Sequence, residues 1–337
     1  MLSTIFCVQR NTDHLVLSFL LLSVLAGCGG SNNTRNPPPP TVGQIYVARA
    51  TFGQVLRFRA GDNGNIAPQQ SLDSQAHPVS MCIDVAHNRI GATSHDGTAI
   101  VLLIDNVSSF AGAIRMISGA ATTMRGPAGC ALDGNADLIY IIDGGATSSI
   151  LVFGPASTAL GNIAPSRVIL LPYTAISIAL DPVSNRLFVA DSTNNVINVY
   201  DSASTLNGAV TPSRTIGGPQ TQLTHVGSIA LESSGHLAVV SGPTSICVFS
   251  NAGTLNGNVS PSAAFSLLLN DIEQIAVTPA GDLYAVDSLD ILAFSNVFSA
   301  TGTLAPVRII AGPNTQLPSI IPAIPPLVNS IVIDPTR

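Results

Sequence analysis

The chain contains no lysine and no tryptophan, and only 9% of its residues are charged. A P-loop is excluded, because that phosphate-binding motif requires a lysine. The thirteen basic residues are all arginines scattered singly, and the formal net charge is −6. The basic stripe that neutralises nucleic-acid phosphates is therefore missing. We expect neither a nucleotide nor a nucleic acid as a partner.

Cysteine is also scarce, with five residues in 337. After residue 40 only Cys82, Cys130 and Cys247 are found. An odd number without a CxxC pair indicates neither a disulfide framework nor a zinc site. Each of the three lies in an apolar stretch, and cysteine is among the most frequently buried residue types. The sequence predicts three buried thiols.

Motifs that signal catalysis are lacking too. The chain has no GxSxG phrase of a serine hydrolase and no HExxH phrase of a zinc protease. Its six histidines are isolated along the sequence. These absences favour a non-enzymatic protein.

What the chain does contain is an internal repeat. Six similar phrases begin with a glycine, and the intervals between successive glycines are 48, 49, 47, 49 and 45 residues. A fixed period in this range is typical of stacked or radial repeat folds. Five phrases carry a proline four residues after the glycine, and the one at Gly112 has lost it. The glycines are Gly64, Gly112, Gly161, Gly208, Gly257 and Gly302.

The fourth repeat shows what one unit looks like. Strands are predicted at 176–180, 186–191, 196–200 and 213–216, and turn residues such as Asp181-Pro182 separate them. Four short strands in under 50 residues are typical of one propeller blade. The inner strands of the repeats are predicted to end at Asp84, Asp133, Asp181, Glu232 and Thr278.

The first repeat lacks an inner strand, and the C-terminus supplies a matching one at 329–334. A C-terminal strand that completes the first blade closes the ring and removes open sheet edges. We therefore predict an all-β, six-bladed β-propeller over residues 41–337. The phrases Ile178-Ala-Leu-Asp-Pro182, Leu187-Phe-Val-Ala-Asp191 and Ile197-Asn-Val-Tyr200 resemble those of NHL-repeat propellers of secreted bacterial proteins.

The N-terminus carries an apolar run from Leu15 to Ala26, followed by Gly27-Cys28. A run of this length is typical of a secretory signal and is too short for a spanning helix. The ending Leu25-Ala-Gly-Cys28 resembles the lipobox of bacterial lipoproteins, which implies cleavage after residue 27 and lipidation of Cys28. Multiple acyl chains would anchor the protein stably in a lipid bilayer. By the same resemblance, Gly29 in place of aspartate implies the outer membrane of a Gram-negative bacterium.

Residues 28–40 are predicted to form a tether between the lipid and the propeller. Glycine, serine and asparagine come first and four prolines follow, so that a flexible part precedes a stiff one. The expected segments are thus a signal peptide at 1–27, a lipidated tether at 28–40 and the propeller.

Candidate site residues lie where second strands end and inner strands begin, because these positions meet around one mouth of a propeller channel. Asp143, Asp191, Asp287, Glu273 and Asn329 could provide the oxygen ligands that calcium prefers. By position alone they resemble the sites of calcium-dependent lactonases and phosphotriesterase-like hydrolases. The alternative is structural, because an aspartate before a polar turn commonly binds its own backbone.

A long apolar segment precedes the C-terminal strand and contains Ile320, Ile321, Ile324 and Leu327 between prolines. It is interpreted either as a docking surface or as a plug over the channel. Together these features favour a membrane-anchored scaffold that binds an envelope protein or a glycan and needs no cofactor. A calcium-dependent hydrolase is the alternative.

Overall fold

A computed structural model of the chain describes residues 43–95, 99–144, 148–269, 271–287, 289–317 and 330–337. All of these belong to one compact unit, Pro40–Arg337. The predicted signal peptide, Cys28 and the predicted tether lie outside the described residues.

The described residues form six sheets, each with four antiparallel strands, and two of them gain a short parallel strand from the next blade. The innermost strands of the six sheets contact one another in a closed cycle. This arrangement confirms the predicted six-bladed β-propeller. Blades 1 and 2 contain β1 (Gln44–Arg49), β2 (Gln54–Arg59), β3 (Gln70–Asp73), β4 (Pro78–Asp84), β5 (Arg89–His95), β6 (Ala99–Asp105) and β7 (Ile114–Ser118). Blade 3 contains β8 (Pro127–Asp133), β9 (Leu138–Asp143), β10 (Ser149–Phe153) and β11 (Arg167–Leu170).

The remaining blades follow the same frame. Blade 4 contains β12 (Ala175–Asp181), β13 (Arg186–Asp191), β14 (Val196–Asp201), β15 (Gly208–Ala209) and β16 (Arg214–Ile216). Blade 5 contains β17 (Val226–Leu231), β18 (Leu237–Ser241), β19 (Ser245–Phe249) and β20 (Ala263–Leu267). Blade 6 contains β21 (Gln274–Val277), β22 (Leu283–Val286), β23 (Ile291–Phe294), β24 (Thr301–Leu304) and β25 (Arg308–Ile310), and β26 (Ser330–Asp334) ends the chain.

Short 3-10 turns connect several of these strands. In the described part of the chain they are Ala50–Phe52, Ala120–Thr122, Ala203–Thr205, Pro219–Thr221, Ala252–Thr254, Val297–Ser299 and Pro313–Thr315. Over the same residues, no helix has the length and apolar character needed to cross a membrane.

The C-terminal strand closes the ring as predicted. Strand β26 pairs antiparallel with β1, from Gln44 opposite Asp334 to Ala48 opposite Ser330. The last residue also joins blade 1 to blade 2, because Arg337 donates to Asn88 Oδ1 at 2.6 Å and to the Val85 carbonyl at 3.2 Å. Strands from the two ends of the chain therefore share one blade.

The hydrophobic core is divided into clusters that lie between neighbouring blades. Counted back from the residue at which each inner-strand phrase ends (Asp84, Asp133, Asp181, Glu232, Thr278 or Asp334), alanine or valine lies two positions before that residue at five junctions. It packs in the same cluster as the larger residue that lies three positions before the corresponding residue of the next blade. The pairs are Ala131 with Ile178, Ala179 with Ile229, Ala230 with Ile275, Ala276 with Ile331, and Val332 with Met81. Burial on both faces explains why the strands are nearly continuous apolar runs.

The junction between blades 2 and 3 corrects the prediction of free thiols there. Cys82 and Cys130 form a disulfide, with their Cα atoms 5.6 Å apart, and Cys247 remains a free, buried cysteine. Cys82 occupies the small-residue position of its inner strand and Cys130 the larger-residue position of the next. Counting cysteines and looking for CxxC missed this pairing, because the bridge joins two repeats 48 residues apart.

The repeated glycine phrase joins neighbouring blades at the outer rim. In five repeats the glycine pairs in parallel with the outermost strand of the preceding blade: Gly64 with Ile310, Gly161 with Ile117, Gly208 with Ile169, Gly257 with Ile216 and Gly302 with Phe265. These five glycines have φ between 70° and 80°, a range that side chains disfavour. This conformation explains why the position repeats as glycine.

Candidate functional site

A central channel runs between the inner strands of the six blades. Its interior encloses about 180 Å³ and is lined mainly by the apolar ends of these strands. A second cavity, of about 230 Å³, lies at the mouth where the inner strands begin. Its lining residues are Val79, Ser80, Ala128, Ile176, Ser177, Gly227, Ser228, Glu273 and Gln274. Among the described residues, the mouth therefore presents three serine hydroxyls, one side-chain amide and one carboxylate beside apolar side chains.

Several polar residues around the mouth also join one blade to the next. The hydroxyl of Ser177 accepts a hydrogen bond from the Ile229 amide at 3.1 Å, and that of Ser228 accepts one from the Ile275 amide at 3.3 Å. The Ser330 hydroxyl accepts from the Met81 amide at 2.7 Å. Ser177 and Ser228 thus contribute both to the ring and to the mouth surface, whereas Ser330 is fully buried and contributes to the ring.

The predicted metal-binding aspartates accept hydrogen bonds from nearby backbone amides. Asp143 Oδ1 accepts from the Arg125 and Gly126 amides, both at 2.8 Å. Asp287 Oδ1 accepts from the Asp290 amide at 3.0 Å. Two carboxylates that could have faced the channel are therefore acceptors for the connecting loops.

Asp191 is held in the same way by its own turn and by a neighbouring strand. Its Oδ1 accepts from the Asn194 amide at 2.9 Å, and its Oδ2 accepts from the side-chain amides of Asn194 and Asn198 at 2.9 and 3.2 Å. Asp191 is 1% exposed. The carboxylate is therefore buried within its own blade.

The calcium prediction stays a prediction. Glu273 lines the mouth, whereas Asn329 lies outside the described residues. Across the described residues, no group of three histidine, cysteine, aspartate or glutamate residues is placed to hold a metal ion. Just before β23, burial and the nearby Asp287 carboxylate raise the pKa of Asp290.

The opposite end of blade 5 carries a polar cluster that sequence reasoning missed. The buried Glu232 carboxylate accepts from the amides of Ser234 and His236 at 2.7 and 2.9 Å, and it lies 2.7 Å from His236 Nδ1. Burial alone would raise the pKa of Glu232, but the hydrogen bonds from Ser234 and His236 outweigh it and lower that pKa. The His236 ring stacks on Phe298 at 4.0 Å. The feature of the sequence that could have indicated this cluster is Glu232, which stands where other repeats carry the turn aspartate.

Two grooves lie at equivalent places on blades 3 and 5. The groove on blade 3 encloses about 400 Å³ and the one on blade 5 about 540 Å³. The larger groove is lined by Ser241, Ser245 and Ser266 beside Cys247. Burial raises the pKa of the Cys247 thiol to about 11, which keeps it protonated at neutral pH.

The predicted docking residues Ile320, Ile321, Ile324 and Leu327 lie outside the described residues. Leu317, which precedes them, is 4% exposed and packs in the cluster between blades 6 and 1. Both interpretations of the apolar segment, docking surface and plug, stay predictions.

No protein-family model matches the chain, and no curated protein matches it. Solved structures do share its fold. A chain of a nidogen/laminin complex is 12% identical, with a TM-score of 0.58 over 86% of this chain and 97% of that one. A protein of unknown function from Bacteroides caccae is 9% identical, with a TM-score of 0.54 over 87% of this chain and 98% of that one. These likenesses support the propeller fold alone.

Proposed function

We propose that this chain is an exported lipoprotein, anchored through Cys28 in the outer membrane of a Gram-negative bacterium, whose propeller binds an envelope protein or a glycan without catalysing a reaction. The observation that carries the binding role is the chemistry of the channel mouth. Serine hydroxyls, the Gln274 amide and the Glu273 carboxylate line it beside apolar side chains, while Asp143, Asp191 and Asp287 are already acceptors in hydrogen bonds. A channel mouth of this composition suits uncharged polar groups of a partner.

The disulfide supports the exported location. Disulfides persist in oxidising compartments such as the bacterial periplasm and the cell surface and are rare in the cytosol. Cys82 and Cys130 therefore agree with the signal-peptide and lipobox resemblance at Cys28. The blade phrases that resemble NHL repeats fit a secreted propeller. A related fold in the nidogen/laminin complex comes from a structure of two proteins bound together.

The anchor is tested by fractionating cells that express the full chain. Wild-type protein is expected in the membrane fraction, and Cys28→Ser should move it to the soluble fraction. Cys7→Ser is the matched control, because Cys7 precedes the apolar run of the same segment. Membrane retention of Cys28→Ser, or equal release of both variants, would contradict the proposed lipid anchor.

The binding role is tested separately, by sedimentation of the purified mature chain with isolated cell envelopes. Saturable binding is expected, and protease treatment of the envelopes separates protein from glycan partners. Ile176→Trp places a bulky ring at the mouth and should weaken binding. Val183→Trp, in the turn that follows the other end of β12, should not, because Val183 is 89% exposed and away from the mouth. Equal binding by both variants would exclude the channel mouth as the binding site.

A further inference from the structure

In the part of the chain that the structure describes, the outer rim of the propeller has one strand edge without a backbone partner, on blade 1. Parallel partners from the next blade cover residues in the outermost strands of the other five blades. Strand β3 of blade 1 pairs with β2, and within the described residues nothing pairs with its other edge. The edge is short, and the side chains of Ser71 and Asp73 on it are exposed.

The covered edges of the other blades show which hydrogen bonds a partner makes to an outermost strand. On blade 4, Gly257 donates its amide to the Thr215 carbonyl at 2.6 Å and accepts from the Gly217 amide at 3.1 Å. Asn256, just before the glycine, accepts from the Thr215 amide at 3.0 Å. On blade 6, Gly64 and Asn63 make the same three bonds to Ile309 and Ala311. The docking unit is an Asn-Gly pair here and at Asn207-Gly208, where Asn207 accepts from the Val168 amide at 3.2 Å, whereas the bridging glycines Gly161 and Gly302 follow Leu160 and Thr301.

Strand register identifies the corresponding groups on blade 1. Ile216 lies opposite Ile197 in blade 4, and Leu72 lies opposite Val55 in blade 1. The counterparts of Thr215 and Gly217 are therefore Ser71 and Asp73. Because alternate residues of an edge strand direct their amide and carbonyl groups outward, Ser71 and Asp73 present the same two donors and one acceptor.

Blade 2 does not cover this edge, because its glycine phrase is too short. From Asp105 to Arg115 there are ten positions, whereas the equivalent stretch from Asp201 to Arg214 has thirteen. The chain turns back early, with the Asp105 amide donating to the Ala113 carbonyl at 3.2 Å. A Cβ on Gly112 would lie 1.8 Å from the Asp105 carbonyl oxygen, and Gly112 lacks the positive φ of the other five glycines.

Side chains join blades 1 and 2, although no backbone bridge links their outer strands. Arg57 donates to the Ser108 carbonyl, and Gln70 donates to the Ser109 carbonyl at 3.2 Å. At the next two junctions, the counterparts of Gln70 are Arg115 and Arg167, which each reach two carbonyls of the following blade. The junction is thus secured without the backbone bridge, which leaves the edge free.

We propose that the open edge of β3 binds an extended segment of a partner protein that carries an Asn-Gly pair. The segment would run parallel to β3, its glycine would adopt positive φ, and its asparagine would accept from the Ser71 amide. Addition of a strand to a sheet edge is a recurring mode of peptide recognition. This inference gives a partner class for the scaffold role but does not depend on the channel mouth or on the lipid anchor.

The probe for this site is a fluorescently labelled synthetic peptide with the sequence of residues 62–69, which contains Asn63-Gly64. Binding to the purified mature chain is followed by anisotropy and should saturate below about 1 mM, the weak end of specific recognition. Gly64→Ala in the peptide should weaken binding about tenfold, because an L-residue disfavours positive φ. D-alanine at the same position should bind like glycine. Equal affinity of the two alanine peptides, or no saturation, would overturn the proposal.

The matching protein variant fills the edge from within the chain. Replacing residues 106–113 with residues 202–212 restores the missing length and should abolish peptide binding while raising Tm. Ser71→Ala is the control, because it keeps the backbone amide and should bind normally. Peptide binding that survives the replacement would place the peptide elsewhere. A concentration-dependent dimer that the replacement abolishes would make a second copy the occupant and overturn the partner assignment.

Discussion

Cys82 and Cys130 lie one repeat apart, and their disulfide joins the inner strands of blades 2 and 3. They occupy the small and large positions that alanine and isoleucine occupy at most other junctions. The second strand of blade 2 accommodates the bridge with a glycine, since a Cβ on Gly91 would lie 2.9 Å from Cys82 Sγ and 2.8 Å from Ile139 Cδ1. A packed contact of the repeat has thus become a covalent one.

Removal of this bridge should destabilise the propeller. Cys82→Ser should lower the free energy of unfolding by about 2–4 kcal/mol, because the bridge closes a long loop in the unfolded chain. Denaturant titration with and without reductant measures this loss. Cys247→Ala is the control and should leave the response to reductant unchanged. A wild-type chain whose unfolding midpoint ignores reductant would contradict a stabilising disulfide.

The glycines of the rim bridges should be costly to replace even where there is room. Nothing lies within 4 Å of a Cβ built on Gly257, so that strain at φ 78° is the main term. Gly257→Ala should destabilise by about 1–2 kcal/mol, and Gly257→Asn by less, because asparagine tolerates this conformation better. Thermal unfolding of the two variants measures the order. If Gly257→Ala were as stable as wild type, a side chain at this position would cause no backbone strain, which would contradict the prediction.

Acid should weaken blade 4 through Asp201. The hydrogen bond from Arg214 is the largest influence on the Asp201 pKa, and Arg186 adds to it, which lowers that pKa from 3.8 to about 2. A lowered folded pKa contributes stability above the unfolded value, and this contribution is lost as the pH falls from about 4 to 2. Asp201→Asn should therefore cost up to about 1 kcal/mol at pH 7, since the carboxylate is partly exposed, and little at pH 2.

The control for this pH dependence is Asp73→Asn, because the Asp73 carboxylate accepts from the Gln75 amide in an exposed turn. Stability of each variant is measured by denaturant titration at pH 7 and pH 2. An Asp201→Asn cost that is the same at both pH values would rule out the ionised pair as its source.

Calcium should change the Tm of this chain little, because the strand-end aspartates already accept hydrogen bonds from connecting loops. Tm in excess calcium and in chelator should agree, whereas a site filled at about 100 times its Kd would stabilise by about 2.7 kcal/mol. Asp191→Asn, which removes an acceptor of Asn194, should lower Tm equally in both buffers. A Tm that rises with calcium and no longer does so in Asp191→Asn would instead support the hydrolase alternative.

Much of the fold could be predicted because each blade repeats the same local chemistry. Inner strands end at Asp84, Asp133 and Asp181 as the sequence predicted, and the turn aspartate recurs because Asp181 Oδ1 accepts from the Val183 and Ser184 amides. The closing strand was recognisable because residues 330–334 match the inner-strand phrase that the first repeat lacks.

The disulfide and the open rim were harder to predict because each depends on a departure from the repeat. Cys82 and Cys130 differ by one position within their inner strands. To pair them from the sequence, one would have to align the strands and also know which face of the strand each cysteine occupies. The outer edge of blade 1 is open because the next repeat, blade 2, lacks three positions after Gly112 and so cannot reach that edge. At the channel, spacing located the aspartates but could not show which amides their oxygens would meet.

The arrangement of the rim, covered on five blades and open on one, is most directly tested by hydrogen exchange of the free mature chain. The amides of Ser118, Gly217 and Ala311 donate hydrogen bonds to glycine carbonyls of the next blade and should exchange slowly. The outward amides of Ser71 and Asp73 should exchange much faster, at rates near those of solvent-exposed backbone. Equal protection of the two groups would mean that the edge of blade 1 is already covered, and would contradict the account.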